Sequence, residues 1–207
     1  MKDSQPRSVV ASVDSLPVTQ QQWRRYLTGF NDAFFAKATG SDLWGLDDQQ
    51  VASRWLGYDP ASEQDLDAAE KRLGVPLPPS LRGFLLTTDG WGRPADWVDR
   101  VCPCRDIQWF RDTPAGSSFI DQASHELPHG PDNGRFLEML SHMLTIADGE
   151  DVWLLNTGEV SAYGEYPAYP LMLKFGVFLG HHSGFSALFA AGRSEVEESV
   201  GCMRRRG

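Results

Sequence analysis

The stretch from Ser62 to Trp91 constrains the fold most, because it encodes two short helices joined by a proline elbow. Ser62 is a good N-cap, and Asp65 stands three residues later, at the position of a capping-box partner. Gly74 follows apolar residues spaced at i, i+3 and i+7, so it predicts a left-handed helix stop. The prolines that follow end this helix but permit a new one, because proline is tolerated in a first helical turn. The stretch predicts two helices on a common core and contains no catalytic constellation.

The composition is that of an acidic, globular chain. Its 207 residues are 41% hydrophobic and give a formal net charge of −9. That charge disfavours direct binding to nucleic acid, which needs a basic surface, and it suits a basic protein partner. No apolar run reaches the roughly 18 residues of a membrane span, and the N-terminus lacks the apolar core of a signal peptide. We therefore expect a cytoplasmic protein without membrane contact.

Four segments are expected along the chain. Residues 1–18 are interpreted as a mobile lead-in, 19–56 as an N-terminal helical extension packed on the domain, 57–191 as the main α+β domain and 192–207 as a charged C-terminal tail. Within the extension, aromatic residues recur at helical spacing after Thr19, which predicts an amphipathic helix. Its apolar stripe must be covered, and packing on the domain is the preferred interpretation.

The second half of the chain predicts an antiparallel sheet. Three short β-type runs are joined by turn residues and indicate a meander: 143–147, 152–155 and 160–163. Residues 92–106 are expected to be irregular, and 111–134 to form a long turn-rich stretch that is functional or locally helical, with a helical turn at 120–123. Residues 166–170 are expected to interrupt the sheet at two prolines, and 171–191 to form one helix that is kinked or broken near Gly180 to Gly184. The fold class predicted is α+β: an antiparallel β-meander with helices packed mainly on one face and an N-terminal helical extension.

No enzymatic, cofactor or metal motif is found. The G-x-S-x-G elbow and the glycine-rich phosphate loops are absent. The three cysteines offer only one C-x-C pair, Cys102 and Cys104, whereas zinc needs about four ligands, so reduced thiols are expected. His181 and His182 are adjacent, and adjacent helical residues point about 100° apart, which disfavours a shared ligand. We predict no catalytic residues, no cofactor and no metal.

A protein-binding surface is the remaining prediction. Aromatic residues stand beside acidic ones in the turn-rich segments, as in the anchors and rims of protein interfaces. The candidate partner-binding residues are Asp89, Trp91, Asp96, Trp97, Asp99, Asp148, Glu150, Asp151, Tyr163 and Glu165. Asp148, Glu150 and Asp151 are expected together at a solvent-exposed turn. The alternative is that most of the tryptophans belong to the core, where Trp is usually found.

Residues 61–91 (ASEQDLDAAEKRLGVPLPPSLRGFLLTTDGW) resemble the opening motif of the SUKH superfamily, which groups fungal cell-wall-synthesis regulators with bacterial toxin-immunity proteins. Glu70, Leu73–Gly74, Leu77–Pro78 and Asp89–Gly90 match that motif. The later run MLTIADGEDVWLLNTGEV is similar to the second signature of the superfamily, and the resemblance covers roughly residues 57–190. Asp89-Gly90-Trp91 departs from the Asn-Gly-Gly that the superfamily has more often.

The resemblance implies a SUKH-like α+β domain with a non-enzymatic binding role. In bacteria such proteins typically neutralise a polymorphic toxin by direct binding, so the expected partner is a toxin domain, for example a basic nuclease or deaminase. Two alternatives stay open: a regulatory scaffold that binds a cellular protein, and an unrecognised enzyme. A deep cleft with two or more convergent ionisable groups would favour the enzyme.

Overall fold

The computed structural model describes residues 16–126 and 131–202, which build one antiparallel sheet with helices on both faces. Seven α-helices lie within these residues: α1 Gln20–Lys37, α2 Asp48–Ser53, α3 Glu63–Leu73, α4 Pro79–Leu85, α5 Pro114–Glu126, α6 Pro131–Ser141 and α7 Phe185–Ser199. The same residues contain seven strands: β1 Trp91–Ala95, β2 Val98–Val101, β3 Gln108–Trp109, β4 Met143–Gly149, β5 Asp151–Asn156, β6 Ala168–Met172 and β7 Val177–Phe178. The strand order is β1-β2-β4-β5-β6-β7, and β3 pairs with β4. The predicted α+β class is confirmed.

The helical elbow forms as its capping residues predict. The backbone N–H of Asp65 donates to Ser62 Oγ at 3.2 Å, and the Asp65 carboxylate accepts from the backbone N–H of Ser62 at 3.0 Å. Gly74 ends α3 with a φ of 74°, in the left-handed region that glycine tolerates. Pro79 then begins α4.

The larger core lies between one face of the sheet and helices α1, α3, α4 and α7. Trp23 of α1 sits at its centre: its ring packs edge-on against Phe84 and Phe189, and its indole N–H donates to the Ser80 carbonyl at 2.7 Å. The aromatic stripe of α1 is therefore buried in this core. Residues 1–15 of the expected lead-in lie outside the described part of the chain.

The second face of the sheet is partly covered by α5 and α6. A smaller apolar cluster is buried there: Phe110, Leu140, Met143, Val152, Leu154 and Leu171. Helices α5 and α6 occupy most of the described part of 111–134, so the expected turn-rich stretch is helical over a longer range than the single turn predicted at 120–123. Their apolar residues are sparse and pack on a small cluster, so the helical periodicity is weak in the sequence.

Three strand and helix assignments are corrected. The irregular 92–106 segment contains the β1–β2 hairpin. Residues 160–163 form a loop, and the strand after β5 is Ala168–Met172, which includes Pro170. The Pro170 carbonyl accepts from Leu179 on the side away from β5, so the missing N–H of proline also faces that side and spares the β5–β6 ladder.

The expected broken helix over 171–191 is also wrong. This segment holds the end of β6, the short β7 and the start of α7. Helix α7 continues to Ser199, so the first part of the expected charged tail, from residue 192, is helical and packs on the sheet. None of the helices in residues 16–126 and 131–202 has the length and apolarity of a membrane span.

Candidate functional site

A groove of about 450 Å³ opens between the β1–β2 turn and helix α7. It is called the acidic groove below. Its polar residues are Asp96, Asp151, His182 and Glu195. Its other lining residues are Ala95, Trp97, Val98, Trp153, Pro170, Met172, Leu179, Leu188, Ala191 and Gly192.

Two glycines allow the walls of the groove to approach closely. A Cβ at Gly149, at the end of β4, would lie 2.7 Å from the Trp97 carbonyl oxygen. A Cβ at Gly192, in α7, would lie 2.5 Å from the Pro94 carbonyl oxygen. Only glycine permits both approaches without a shift of the backbone, so these residues set the β1–β2 turn against the β4–β5 turn and α7 against β1.

Asp151 is the most unusual polar group of the groove. Its side chain is buried, with 8% of the residue exposed, yet no described residue donates a hydrogen bond to its carboxylate or forms an ion pair with it. Its backbone N–H donates to the Trp97 carbonyl at 2.9 Å. Burial, together with the charge of Glu150, raises the pKa of the Asp151 carboxyl group.

The other carboxylates of the groove add to this negative potential. Burial raises the pKa of Glu195, and the charges of Asp96 and Asp151 raise it further. Asp96 is fixed to α7, because Ser199 Oγ donates to its carboxylate at 2.6 Å. Among the described residues no lysine or arginine lines the groove. The carboxylates therefore face one another without a cation from the part of the chain that the structure describes.

The remaining wall is apolar and partly open. Trp97 stands at the rim with 61% of its surface exposed, and Leu179 is also exposed. Met172 and Leu188 line the interior. Burial and the neighbouring His181 lower the pKa of His182, so this imidazole is neutral near pH 7. The groove thus combines carboxylates that lack a cation partner among the described residues with an apolar wall.

Three predicted partner-binding residues meet in the groove: Asp96, Trp97 and Asp151. Asp99 and Glu150 are exposed on the adjoining β2 and the β4–β5 turn but do not line it. The expected exposed turn of three acids is corrected, because only Glu150 is exposed there. Asp151 is buried, since the first residue of β5 points towards α7.

Asp148 lies apart from these residues. Its carboxylate accepts from Arg100 Nε at 3.1 Å, across the β2–β4 pair. Asp148 and Arg100 line a second cavity of about 640 Å³, together with residues of the α5 face such as Phe110 and Val152. Arg100 also pairs with Asp106 at 3.3 Å, so the charge of this arginine is neutralised within the chain.

Trp91 and Asp89 are engaged inside the fold. Trp91 is 0% exposed, which corrects its expected surface position, because the first residue of β1 faces the larger core and stacks near Phe30 and Trp55. The Asp89 carboxylate accepts from the backbone N–H of Cys104 at 2.7 Å, and burial raises its pKa.

Tyr163 and Glu165 lie beside another cavity, of about 440 Å³. Tyr163 is 87% exposed. Glu165 has a structural partner: its carboxylate accepts from the backbone N–H of Ser80 at 2.8 Å and from Ser80 Oγ at 2.7 Å. It therefore caps the first turn of α4.

Sequence reasoning missed the wall that α7 contributes, above all Glu195. The residues after 191 look like a charged, frayed end, but Leu188, Ala191 and Glu195 recur at helical spacing on one face. Extending that periodicity past Ala191 would have found Glu195. No sequence signal marks Met172 or Leu179 as its neighbours, because strand pairing brings them there.

The described residues contain no group of three or more His, Cys, Asp or Glu side chains arranged to hold a metal ion. A comparison with curated proteins gives no significant match. The family model described as the SMI1 / KNR4 family (SUKH-1) matches residues 60–180. This match runs from just before α3 to just after β7, so α1 and α7 flank it. The chain belongs to the SMI1 / KNR4 family (SUKH-1).

Proposed function

We propose that this protein is a cytoplasmic, non-enzymatic immunity protein that neutralises a cognate bacterial polymorphic toxin by binding it directly. Family membership supports a SUKH-type module. The immunity role is what the resemblance to the bacterial toxin-immunity proteins of the superfamily implies. The observation that supports the proposal most is an exposed Trp97 beside an acidic groove that no lysine or arginine of the described residues lines.

The physical argument rests on anchor and charge. An exposed tryptophan beside a groove is the kind of residue that dominates binding energy once a partner covers it. The negative groove, on a chain of net charge −9, attracts a basic toxin surface and accelerates encounter with it. A nuclease or deaminase that binds nucleic acid has such a surface around its active site.

Co-expression with the toxin-like product of an adjacent gene, followed by affinity capture and an assay of toxin activity, tests the proposal. We expect a stable complex and loss of toxin activity. Trp97→Ala should weaken the complex by about 30-fold or more, the scale of an interface hot spot. Trp44→Ala is the matched control, since it removes another exposed tryptophan that does not line the groove.

Capture of a cellular housekeeping protein without any toxin would contradict the immunity role and favour the regulatory scaffold. Equal binding of the toxin by wild type and Trp97→Ala would contradict the placement of the interface at the groove.

The second candidate function is that of an enzyme, and the same carboxylates favour it. Asp151 and Glu195 converge in a cleft with raised pKa values, as general acids do. Against this, no Ser, Thr, Cys, Lys or Tyr side chain lines the groove among the described residues. The stoichiometry of neutralisation separates the two functions. Direct binding ends at one immunity protein per toxin, whereas an enzyme would inactivate the toxin at substoichiometric amounts.

A further inference from the structure

We infer that the acidic groove receives one lysine or arginine side chain of the bound partner, with Asp151 as its principal counter-ion. This inference rests on the proposed function, since it names the chemistry by which the partner is recognised. Its evidence comes from Asp151, from the neighbouring carboxylates and from the apolar wall.

The first evidence is an acid that lacks a partner. A buried carboxylate normally has hydrogen-bond donors or a cation, because its burial is otherwise costly. Asp151 is 8% exposed and lines the groove, but no described residue supplies either. Its carboxylate oxygens are not among the side-chain atoms that are completely inaccessible to solvent, so a group that enters the groove can reach them.

The second line of evidence is that further acids surround Asp151, while no lysine or arginine among the described residues lines the groove. Asp96 and Glu195 line the same groove, and Glu150 acts on Asp151 from the adjoining turn. Asp148, by contrast, already pairs with Arg100 at 3.1 Å. An entering ammonium or guanidinium group would relieve the repulsion, and charge-assisted hydrogen bonds to it are the strong ones.

The third evidence is the shape of the walls. Lysine and arginine have long aliphatic stems that pack on apolar surface while the charged group reaches a polar site. Met172, Leu179 and Leu188 supply that surface along the groove. The Trp97 ring lines the groove and is 61% exposed, so it offers an aromatic surface to the stem or to the cation.

The inference can be tested on the full chain without the toxin. N-acetyl-arginine amide and N-acetyl-lysine amide serve as probes, and the uncharged citrulline and norleucine amides serve as matched controls. Binding is followed by NMR through the indole N–H of Trp97 and the side-chain carbonyl carbon of Asp151. We expect saturable chemical-shift changes with the cationic amides. Their affinity should be at least about tenfold higher than that of the neutral amides, which corresponds to about 1.4 kcal/mol.

Two variants locate the site. Asp151→Asn and Glu195→Gln should each reduce binding of the arginine amide several-fold, whereas Asp99→Asn removes a nearby exposed charge and should leave it unchanged. Equal binding of arginine and citrulline amides, or equal loss in all three variants, would overturn the inference.

The outcome is independent of the immunity role. A captured toxin together with absent probe binding would overturn the side-chain site alone. Specific probe binding without any toxin partner would support the site and contradict the immunity function.

Discussion

The backbone N–H of Asp151 donates a 2.9 Å hydrogen bond to the carbonyl of Trp97. This bond fastens the start of β5 to the β1–β2 turn, so an exposed aromatic ring and a buried carboxylate are held in fixed register. Gly149 makes the approach possible, because a Cβ there would collide with the same carbonyl. The groove is therefore formed before any partner arrives, which reduces the ordering cost of binding.

Asp151→Asn is expected to stabilise the unbound protein at neutral pH. The substitution removes an unpaired buried charge and keeps the side-chain shape, so a gain on the order of 1 kcal/mol is expected. For a chain of this size that gain would raise Tm by about 2–4 °C. Urea and thermal unfolding measure it, with Asp99→Asn as the exposed control that should change stability little.

The pH dependence gives the sign of this effect. The pKa of Asp151 is raised in the folded state, mainly by burial. The free energy of unfolding is therefore higher when the Asp151 carboxyl group is protonated, and it falls as pH rises through the folded pKa of this group. The advantage of Asp151→Asn should be full at pH 7 and should shrink as pH falls into the acidic range. An advantage that grows at low pH would contradict the assignment.

Trp91 and Trp97 are expected to separate stability from binding. Trp91→Ala leaves a large cavity in the core and should cost about 3–5 kcal/mol, enough to unfold a marginal domain. Trp97→Ala removes an exposed ring and should change stability by less than about 0.5 kcal/mol. Chemical denaturation measures both, and a large loss for Trp97→Ala would show that its ring is structural.

Much of the fold could be predicted because its signals are local. Ser62 with Asp65, and Gly74, fix the two ends of α3 through capping and a left-handed stop. The β1–β2 hairpin, β6 and the extent of α7 were missed, because each depends on tertiary packing. Pro170 is the clearest example, since a proline is tolerated there only because of the direction in which its carbonyl points.

The site was predictable in part for the same reason. The sequence marks Asp96, Trp97 and Asp151 by their proximity to turns, but burial of Asp151 follows from the direction of one strand residue. Glu195 comes from a helix more than 40 residues later along the chain, so no local pattern connects it to Asp151. Trp91 was predicted to bind a partner because it follows a glycine turn, but its side chain is buried in the core.

The cysteines should differ sharply in reactivity. Cys102 and Cys104 are buried and Cys202 is exposed. Burial and the charge of Asp89 raise the pKa of Cys104 to about 11, and burial together with Asp148 raises the pKa of Cys102 still further. The thiolate is the reactive form, so a thiol reagent at pH 8 should modify Cys202 quickly in the native protein and Cys102 and Cys104 slowly.

Mass spectrometry after brief labelling identifies the modified residue, and all three cysteines should react once the chain is unfolded in denaturant. Rapid native modification of Cys102 or Cys104 would contradict the buried thiols. A Cys202→Ser variant should abolish the fast phase and leave the slow one unchanged.

Glu165→Gln is expected to destabilise α4 and not the acidic groove. The two carboxylate oxygens each accept one hydrogen bond from Ser80, at 2.8 Å and 2.7 Å. In glutamine one of these oxygens becomes an NH2 donor, so one accepted bond is lost and the other loses its charge assistance. A loss of about 0.5–2 kcal/mol is expected, the scale of a helix cap. The urea midpoint measures it, and Glu150→Gln is the exposed control. Loss of toxin binding without loss of stability would instead assign Glu165 to the interface.

Two helical glycines should respond in opposite ways to alanine. Gly192 in α7 faces the sheet, where a Cβ would lie 2.5 Å from the Pro94 carbonyl oxygen and 2.8 Å from Trp153, so Gly192→Ala must push α7 outward and destabilise the fold. Gly134 in α6 has no heavy atom within 4 Å of its would-be Cβ, so Gly134→Ala should stabilise the chain by up to about 1 kcal/mol through helix propensity. Unfolding midpoints of the two variants measure both signs.

Because α7 forms one wall of the groove, Gly192→Ala should also weaken arginine-amide binding, whereas Gly134→Ala should not. A stabilising Gly192→Ala would contradict the close approach of α7 to β1 on which the groove depends.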